Sequence, residues 1–174
     1  MRRWLSFIPI VALVLVVALS VFVLTRGNTP QIITSGQVGR PTPAFSLARL
    51  GGGDPVRDDA YAGRVHIINV FASYCVPCLG EHPTLMELKV RGVPILGVAY
   101  KDKPENAEAF LNQHGNPFES VALDPDGRFG LDLGIAGMPE TFVIDAQGRI
   151  RAVVRGPITE EILNRDILPA LAAR

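Results

Sequence analysis

Two cysteines, Cys75 and Cys78, are the residues of this chain whose type and spacing most directly indicate chemistry. They follow an apolar run at 64–71, which is typical of a buried strand, and precede a segment at 79–90 whose pattern predicts a helix. Thiols at this spacing can form a reversible disulfide, and a helix N-terminus stabilises a thiolate. The sequence therefore predicts thiol–disulfide exchange, with Cys75 as the nucleophile and Cys78 as the thiol that resolves the mixed disulfide.

A structural disulfide and a zinc site are the alternatives for such a pair. A disulfide that closes so short a loop adds little stability, because the entropic benefit grows with loop length. Zinc normally takes four ligands, whereas His66, His82 and His114 stand singly along the sequence. We therefore expect no metal and no cofactor other than the redox-active cysteine pair.

Glu81 is a candidate third catalytic residue, because it lies one helical turn after Cys78 on about the same face. Its carboxylate could accept the proton that Cys78 loses when it attacks the mixed disulfide. A solvated position on the helix surface is the alternative, and spacing alone does not decide between the two. The neighbouring His82 is expected at the helix surface.

Met138 and Pro139 precede a strand that is predicted to begin near Thr141. The proline either marks the edge of this strand or follows a cis peptide bond, which is almost exclusively a proline feature. Glu140 is either a surface charge at the strand edge or a second acid that lines the site. The sequence alone favours the surface position.

Apolar and helical segments alternate through the rest of the chain. Strands are predicted at 65–71, 93–100, 121–123, 141–145 and 150–154, and helical segments at 79–90, 104–114, 126–133 and 161–173. This alternation, followed by a terminal hairpin and helix, indicates an α/β sandwich with a mixed central sheet covered by helices on both faces.

Charged side chains are balanced, with 17 Lys and Arg against 17 Asp and Glu, and no basic run occurs. No nucleic-acid partner is therefore expected. The chain length fits a single folded domain that is large enough to bury its own core.

The N-terminal segment predicts a membrane anchor, because residues 4–25 carry no charge and match the thickness of a bilayer, which needs about 20 apolar residues. A cleaved signal peptide is the alternative, but its apolar core is usually only about 7–15 residues long. Arg2 and Arg3 precede the run closely and only Arg26 follows it closely, so the N-terminus is expected in the cytoplasm.

The expected organisation has three parts. Residues 1–26 form a cytoplasmic tip and a transmembrane signal anchor in a bacterial inner membrane, 27–39 form a polar tether, and 40–174 form a periplasmic domain.

Two segments resemble those of a known family. Residues 69–83, Asn-Val-Phe-Ala-Ser-Tyr-Cys-Val-Pro-Cys-Leu-Gly-Glu-His-Pro, resemble the active-site segment of thioredoxin-like proteins. Residues 134–142, Gly-Ile-Ala-Gly-Met-Pro-Glu-Thr-Phe, resemble the signature of one branch, the membrane-tethered thiol:disulfide interchange proteins of cytochrome c biogenesis (the DsbE/CcmG type). The likeness extends in the same order over residues 38–171.

The resemblance implies a thioredoxin-like fold in which the Met138–Pro139 bond is cis and faces the disulfide. Tyr74, Met138, Pro139 and Glu140 would then bind the substrate, and Glu81 and Glu140 would be the acidic residues near the thiols. The family usually has Trp where this chain has Tyr74, which keeps an aromatic wall but adds a hydroxyl group.

The resemblance further implies a reductase that acts on the disulfide of an apocytochrome c Cys-x-x-Cys-His site before haem attachment. Its partners would be apocytochrome c or the haem-ligation machinery, and a membrane thiol-transfer protein would donate the electrons. One alternative is a broader periplasmic reductase, for example one that serves copper-site assembly in an oxidase.

Two further alternatives lie outside disulfide reduction. A peroxiredoxin-type peroxidase would have Thr three residues before its reactive cysteine, where this chain has Ala72. A copper chaperone would need a wider cysteine spacing and a nearby histidine.

Overall fold

The structure of the protein, a computed structural model, describes residues 7–26 and 36–172. The strands are β1 (Ser46–Leu47), β2 (Val56–Arg57), β3 (His66–Phe71), β4 (Ile95–Tyr100), β5 (Ser120–Asp124), β6 (Glu140–Ile144) and β7 (Ile150–Arg155). The α-helices are α1 (Ile8–Arg26), α2 (Val76–Val90), α3 (Pro104–His114), α4 (Arg128–Leu133), α5 (Glu160–Ile162) and α6 (Leu168–Ala172).

Strands β3 to β7 form one mixed sheet in the order β5-β4-β3-β6-β7. The central strand β3 pairs in parallel with β4 and antiparallel with β6. Every residue of β3 is buried, and successive side chains enter opposite faces, with Ile67 in one apolar cluster and Ile68 in the other. The structure therefore confirms the predicted mixed sheet with a core on each face, and its central strand leads directly to the cysteine pair.

Helix α2 begins at Val76, earlier in the chain than the predicted start at Leu79. Pro77 lies in the first turn, where its missing N–H costs nothing because those amides have no partner within the helix. Pro83 lies inside α2, and the helix nevertheless continues to Val90.

The predicted C-terminal helix at 161–173 is not continuous within the described residues. A π-helical turn, Leu163–Ile167, separates α5 from α6. Pro169 has no N–H to donate to the carbonyl group of Arg165, so a regular α-helical ladder cannot run through this point.

The N-terminal region is described in part. Gln37 Nε2 donates to the carbonyl oxygen of Leu133 at 2.9 Å, and Gly39 N donates to that of Ile150 at 2.7 Å, so both residues bind the domain although the sequence assigned them to the tether. The rest of the expected tether, 27–35, and the start of the expected anchor lie outside the described residues. No helix in the described part of the chain meets the length and hydropathy needed to cross a membrane.

One glycine makes room for an aromatic stack beneath α3. A Cβ on Gly97 of β4 would lie 2.7 Å from the ring of Phe118. The Phe118 ring stacks on Phe71 at a centroid distance of 4.9 Å, and Phe71 lies 6.0 Å from Phe110 of α3. The missing side chain of Gly97 thus sets the position of the rings on which α3 packs.

We expect Gly97→Ala to lower the free energy of unfolding by about 1–3 kcal/mol, because the added methyl group must displace a buried ring. Urea unfolding of the full chain measures this change. Gly80→Ala is the matched control, because nothing lies within 4 Å of its Cβ position and α2 gains helix propensity worth about 0.5–1 kcal/mol. Equal stability of the Gly97→Ala variant and the unaltered chain would contradict this packing role.

Candidate active site

Cys75 and Cys78 form a disulfide bond at the start of α2. Cys75 is the N-cap residue, and the backbone N–H of Cys78 donates to its Sγ atom at 3.3 Å. Cys75 is 8 % exposed and Cys78 is 2 % exposed, so the cysteine at the helix N-terminus is also the more accessible residue. This arrangement can stabilise a thiolate on Cys75 after reduction. The assignment of Cys75 as nucleophile and Cys78 as resolving thiol stays a prediction.

The turn before the nucleophile is fixed by Asp102, a residue that the sequence analysis missed. One carboxylate oxygen accepts from the backbone N–H of Ser73 at 2.6 Å, and the other accepts from the Ser73 hydroxyl at 3.1 Å and from Lys103 N at 2.8 Å. Asp102 follows β4, which is parallel to β3, so both carboxyl ends meet at the same edge of the sheet. The position of Asp102 just after this strand was the signal in the sequence that could have indicated its role.

Glu81 is fully buried, which excludes the solvated alternative. Its Oε1 accepts from Asn69 Nδ2 of β3 at 2.8 Å, and its Oε2 accepts from the backbone N–H of Ile158 at 2.9 Å. Burial raises the pKa of Glu81 to about 7, although both hydrogen bonds favour the ionised form. A carboxyl group with this pKa can exchange protons near neutral pH, as a group serving Cys78 would have to do.

The Glu81 contact is part of a polar network between α2 and the sheet. Asn69 Nδ2 also donates to Thr141 Oγ1 of β6 at 2.9 Å, and Thr84 of α2 donates to the carbonyl oxygen of Ile158 at 3.2 Å. The helix that carries the cysteines is therefore bonded to β3 and to the segment after β7, and Asn69 links this contact to β6.

The Met138–Pro139 peptide bond is cis, as the family resemblance implies. The carbonyl oxygen of Pro139 accepts from Gly156 N at 2.9 Å. Met138 is partly buried and packs against both apolar clusters, one of which contains Cys75 and Cys78. The loop thus shares its packing with the disulfide.

Glu140 is fully buried, so the surface position favoured by the sequence was wrong. Its Oε1 accepts from Arg155 Nε at 3.0 Å, and its Oε2 accepts from Ala136 N at 2.7 Å. The partner arginine lies on β7, directly opposite Glu140 in the sheet register, and neutralises the buried charge. One carboxylate oxygen therefore holds the loop that carries Met138 and Pro139, and the other is paired with β7.

His82 is also buried, and its expected surface position was wrong. Its Nε2 lies 2.9 Å from the carbonyl oxygen of Gly115, and because a carbonyl can only accept, this nitrogen carries the proton. Burial lowers the pKa of His82. The contact joins α2 to the end of α3.

Tyr74 is exposed beside Cys75, and both line a groove with a volume of about 360 Å³. The structure thus places Tyr74 and Cys75 at one surface, with Cys78 and Glu81 buried beneath that surface. Met138 packs against the apolar cluster that contains both cysteines. In residues 7–26 and 36–172, no cluster of three or more His, Cys, Asp or Glu side chains could hold a metal ion.

Comparisons with known proteins agree with this geometry. The profile of the redoxin family matches residues 37–168. The chain is 39% identical over 173 residues to the thiol:disulfide interchange protein HelX of Rhodobacter capsulatus, and the alignment covers 99% of this chain and 98% of that protein. It is 34% identical over 174 residues to the thiol:disulfide interchange protein DsbE of Escherichia coli, covering 97% of this chain and 94% of that protein.

Solved structures have the same fold. The crystal structure of a thiol:disulfide interchange protein DsbE from Chlorobium tepidum superposes with a TM-score of 0.66 at 31% identity, covering 79% of this chain and 100% of that one. The thioredoxin-like sandwich expected from the sequence is therefore confirmed for the domain.

The raised pKa of Glu81 predicts a pH-dependent stability. Between pH 4.5 and about 7 the folded chain binds more protons at this carboxyl than the unfolded chain does, so stability falls as the pH rises. Over this range we expect the unaltered chain to lose about 3 kcal/mol more than Glu81→Gln, measured by urea unfolding.

Glu87→Gln is the control, because it removes a carboxyl group from the exposed face of the same helix; we expect its stability to fall with pH as that of the unaltered chain does. Parallel stability profiles for Glu81→Gln and the unaltered chain would contradict the buried, proton-exchanging carboxyl.

The two cysteines should behave differently when replaced. We expect Cys78→Ser to accumulate a mixed disulfide with a protein substrate, because Cys75 can attack but nothing resolves the product. Cys75→Ser should accumulate none. Mass spectrometry after acid quenching and alkylation identifies the bonded cysteine, and a mixed disulfide through Cys78 would reverse the assignment.

Proposed function

This chain belongs to the redoxin family and is a homologue of the thiol:disulfide interchange proteins DsbE and HelX, and we propose that it is a reductase dedicated to cytochrome c maturation. The chain is a protein thiol–disulfide oxidoreductase. The main support for this proposal is the Cys75–Cys78 pair at the start of α2, together with the buried carboxyl group of Glu81 one turn further along the helix.

In the proposed reaction the reduced chain gives two electrons to the client disulfide. The Cys75 thiolate attacks one client sulfur, which forms a mixed disulfide and releases the other sulfur as a thiolate. Cys78 then attacks Sγ of Cys75, forms the Cys75–Cys78 disulfide and releases the second client thiol. The Glu81 carboxylate takes the proton that Cys78 loses and passes it to the leaving thiolate.

The proposed client is the disulfide of an apocytochrome c Cys-x-x-Cys-His site, which must be reduced before haem is attached. The support is the segment 134–142, which resembles the signature of that branch and contains the cis peptide bond. Tyr74 beside the nucleophile and the backbone at Met138 and Pro139 would hold the extended client, while Glu140 keeps that loop in shape.

The cysteine pair is the sole redox group of the proposal, so it must be reduced again after each cycle. We assign that step to a membrane protein that transfers electrons from cytoplasmic thiols to Cys75 and Cys78. No cofactor takes part, because both electrons reside on the two sulfurs.

The proposed location is the periplasmic face of a bacterial inner membrane. Residues 4–25 carry no charge, and the side chains at 10–22 of α1 are exposed to solvent. A helix that is apolar on every side is typical of a protein core or a membrane span. Arg2 and Arg3 would keep the N-terminus in the cytoplasm, with the catalytic domain outside.

Deletion of the encoding gene tests the client. We expect holocytochrome c to disappear and to return when a small exogenous thiol is supplied, because the thiol reduces the apoprotein directly. Complementation with the natural chain should restore cytochrome without added thiol, and complementation with Cys75→Ser should not.

Two results would contradict this assignment. Normal holocytochrome c in the deletion strain would exclude the dedicated role. Loss of an oxidase copper site with normal cytochrome c would instead favour the broader periplasmic reductase.

A further inference from the structure

A groove lies between α2 and α3, and it begins at the nucleophile. Cys75 itself lines the groove, together with Val76 and Leu79 of α2 and Ala109 and Gln113 of α3. The positions on α3 recur at intervals of three and four residues, which places them on one face of the helix. The groove is therefore a continuation of the surface at which a client disulfide must arrive.

Hydrogen bonds join the two sides of the groove at both ends. At the Cys75 end, Asp102 before α3 accepts from Ser73 before α2. At the far end, His82 of α2 donates to the carbonyl oxygen of Gly115, just after α3. These contacts fix the separation of the two helices, so the groove exists before any client binds.

The floor of the groove is an aromatic ring held by other rings. Phe110 is 8 % exposed and contacts the His82 ring edge-on at a centroid distance of 5.4 Å. It also lies 5.0 Å from the His114 ring and 6.0 Å from the Phe71 ring. A ring fixed on several sides gives a rigid apolar surface for an incoming side chain.

Exposed apolar side chains concentrate at this groove. Within residues 36–172, the large apolar side chains that are exposed are Val38, Tyr74, Val76, Leu79, Val90 and Leu131. Three of these six, Tyr74, Val76 and Leu79, line the groove. Such a local concentration is typical of a binding surface.

The polar side chains that line the groove beside Cys75 carry no carboxylate, ammonium or guanidinium group; they are Ser73, Tyr74, Asn106, Gln113 and His114. A charged client side chain would lose water there without gaining an opposite charge. The lining thus favours an uncharged, apolar side chain.

We propose that the α2–α3 groove is a subsite that binds the apolar side chain next to the client cysteine that is bonded to Cys75. This inference rests on the proposed attack of Cys75 on a client disulfide. In a mixed disulfide the two Cα atoms lie about 4.4–6.8 Å apart, and the next client Cα is about 3.8 Å further on. The flanking side chain therefore reaches a groove that Cys75 itself lines.

Peptide disulfides with different flanking residues test the subsite. Each peptide contains an oxidised Cys-Ser-Ser-Cys sequence, flanked on both sides by Leu in one peptide and by Ser in the other. The measured quantity is the second-order rate constant at which each peptide oxidises the prereduced full chain, followed by acid quenching, alkylation and mass spectrometry. We expect the Leu peptide to react about fivefold faster, as partial burial of one leucine side chain would give.

Two variants of groove residues and one control variant show whether the groove itself causes this preference. Ala109→Trp fills the groove and Leu79→Ser removes an apolar wall, so each should reduce the preference for Leu to less than about twofold. Asn112→Trp is the matched control, because Asn112 is exposed on α3 but does not line the groove, and it should keep the preference of the unaltered chain.

Equal rates for the two peptides with the unaltered chain would overturn the subsite, and so would a preference that survives in both groove variants. If neither peptide oxidises the unaltered chain, the proposed attack on client disulfides is itself contradicted, and the subsite is overturned with it.

Discussion

The buried carboxyl group of Glu81 is the constraint on which the arrangement of the active site depends. One side chain of α2 bonds to Asn69 on the central strand and to the backbone of Ile158 beyond the last strand. Burying a carboxyl group is costly, and these two hydrogen bonds offset part of that cost. They also fix the position of α2, so the cysteines one and two turns before Glu81 are held at the edge of the sheet. The same burial that positions the helix brings the pKa of Glu81 close to neutrality.

Two further carboxylates have a similar role in the loops around the disulfide. Asp102 holds Ser73, two residues before the nucleophile, and Glu140 holds Ala136 in the loop that contains the cis peptide bond. Each accepts hydrogen bonds from backbone N–H groups that would otherwise lack a partner near the protein surface. Three acidic side chains thus fix the helix and both loops, while the face toward the client is formed by apolar side chains such as Val76 and Leu79.

Local patterns were sufficient to predict the cysteine chemistry and the alternation of strands and helices, whereas the cis bond followed only from the resemblance of residues 134–142 to a known family. They did not predict the burial of Glu140 and His82, because each is buried by a partner distant in sequence: Arg155 on the neighbouring strand and the carbonyl group of Gly115. Polar residues are usually exposed, and nothing near them in the sequence shows the partner that makes burial possible. Asp102 was missed for the same reason, since its role appears only when β3 and β4 lie side by side.

The Cys75–Cys78 pair is proposed to work as a reductant, and its equilibrium with glutathione tests this most directly. The full chain is incubated in mixtures of reduced and oxidised glutathione, and the fraction of disulfide is measured after alkylation. We expect the reduction potential of the cysteine pair to lie below about −200 mV, well under that of strongly oxidising Cys-x-x-Cys proteins. A measured potential near about −120 mV, the value of a strong dithiol oxidant, would contradict the account.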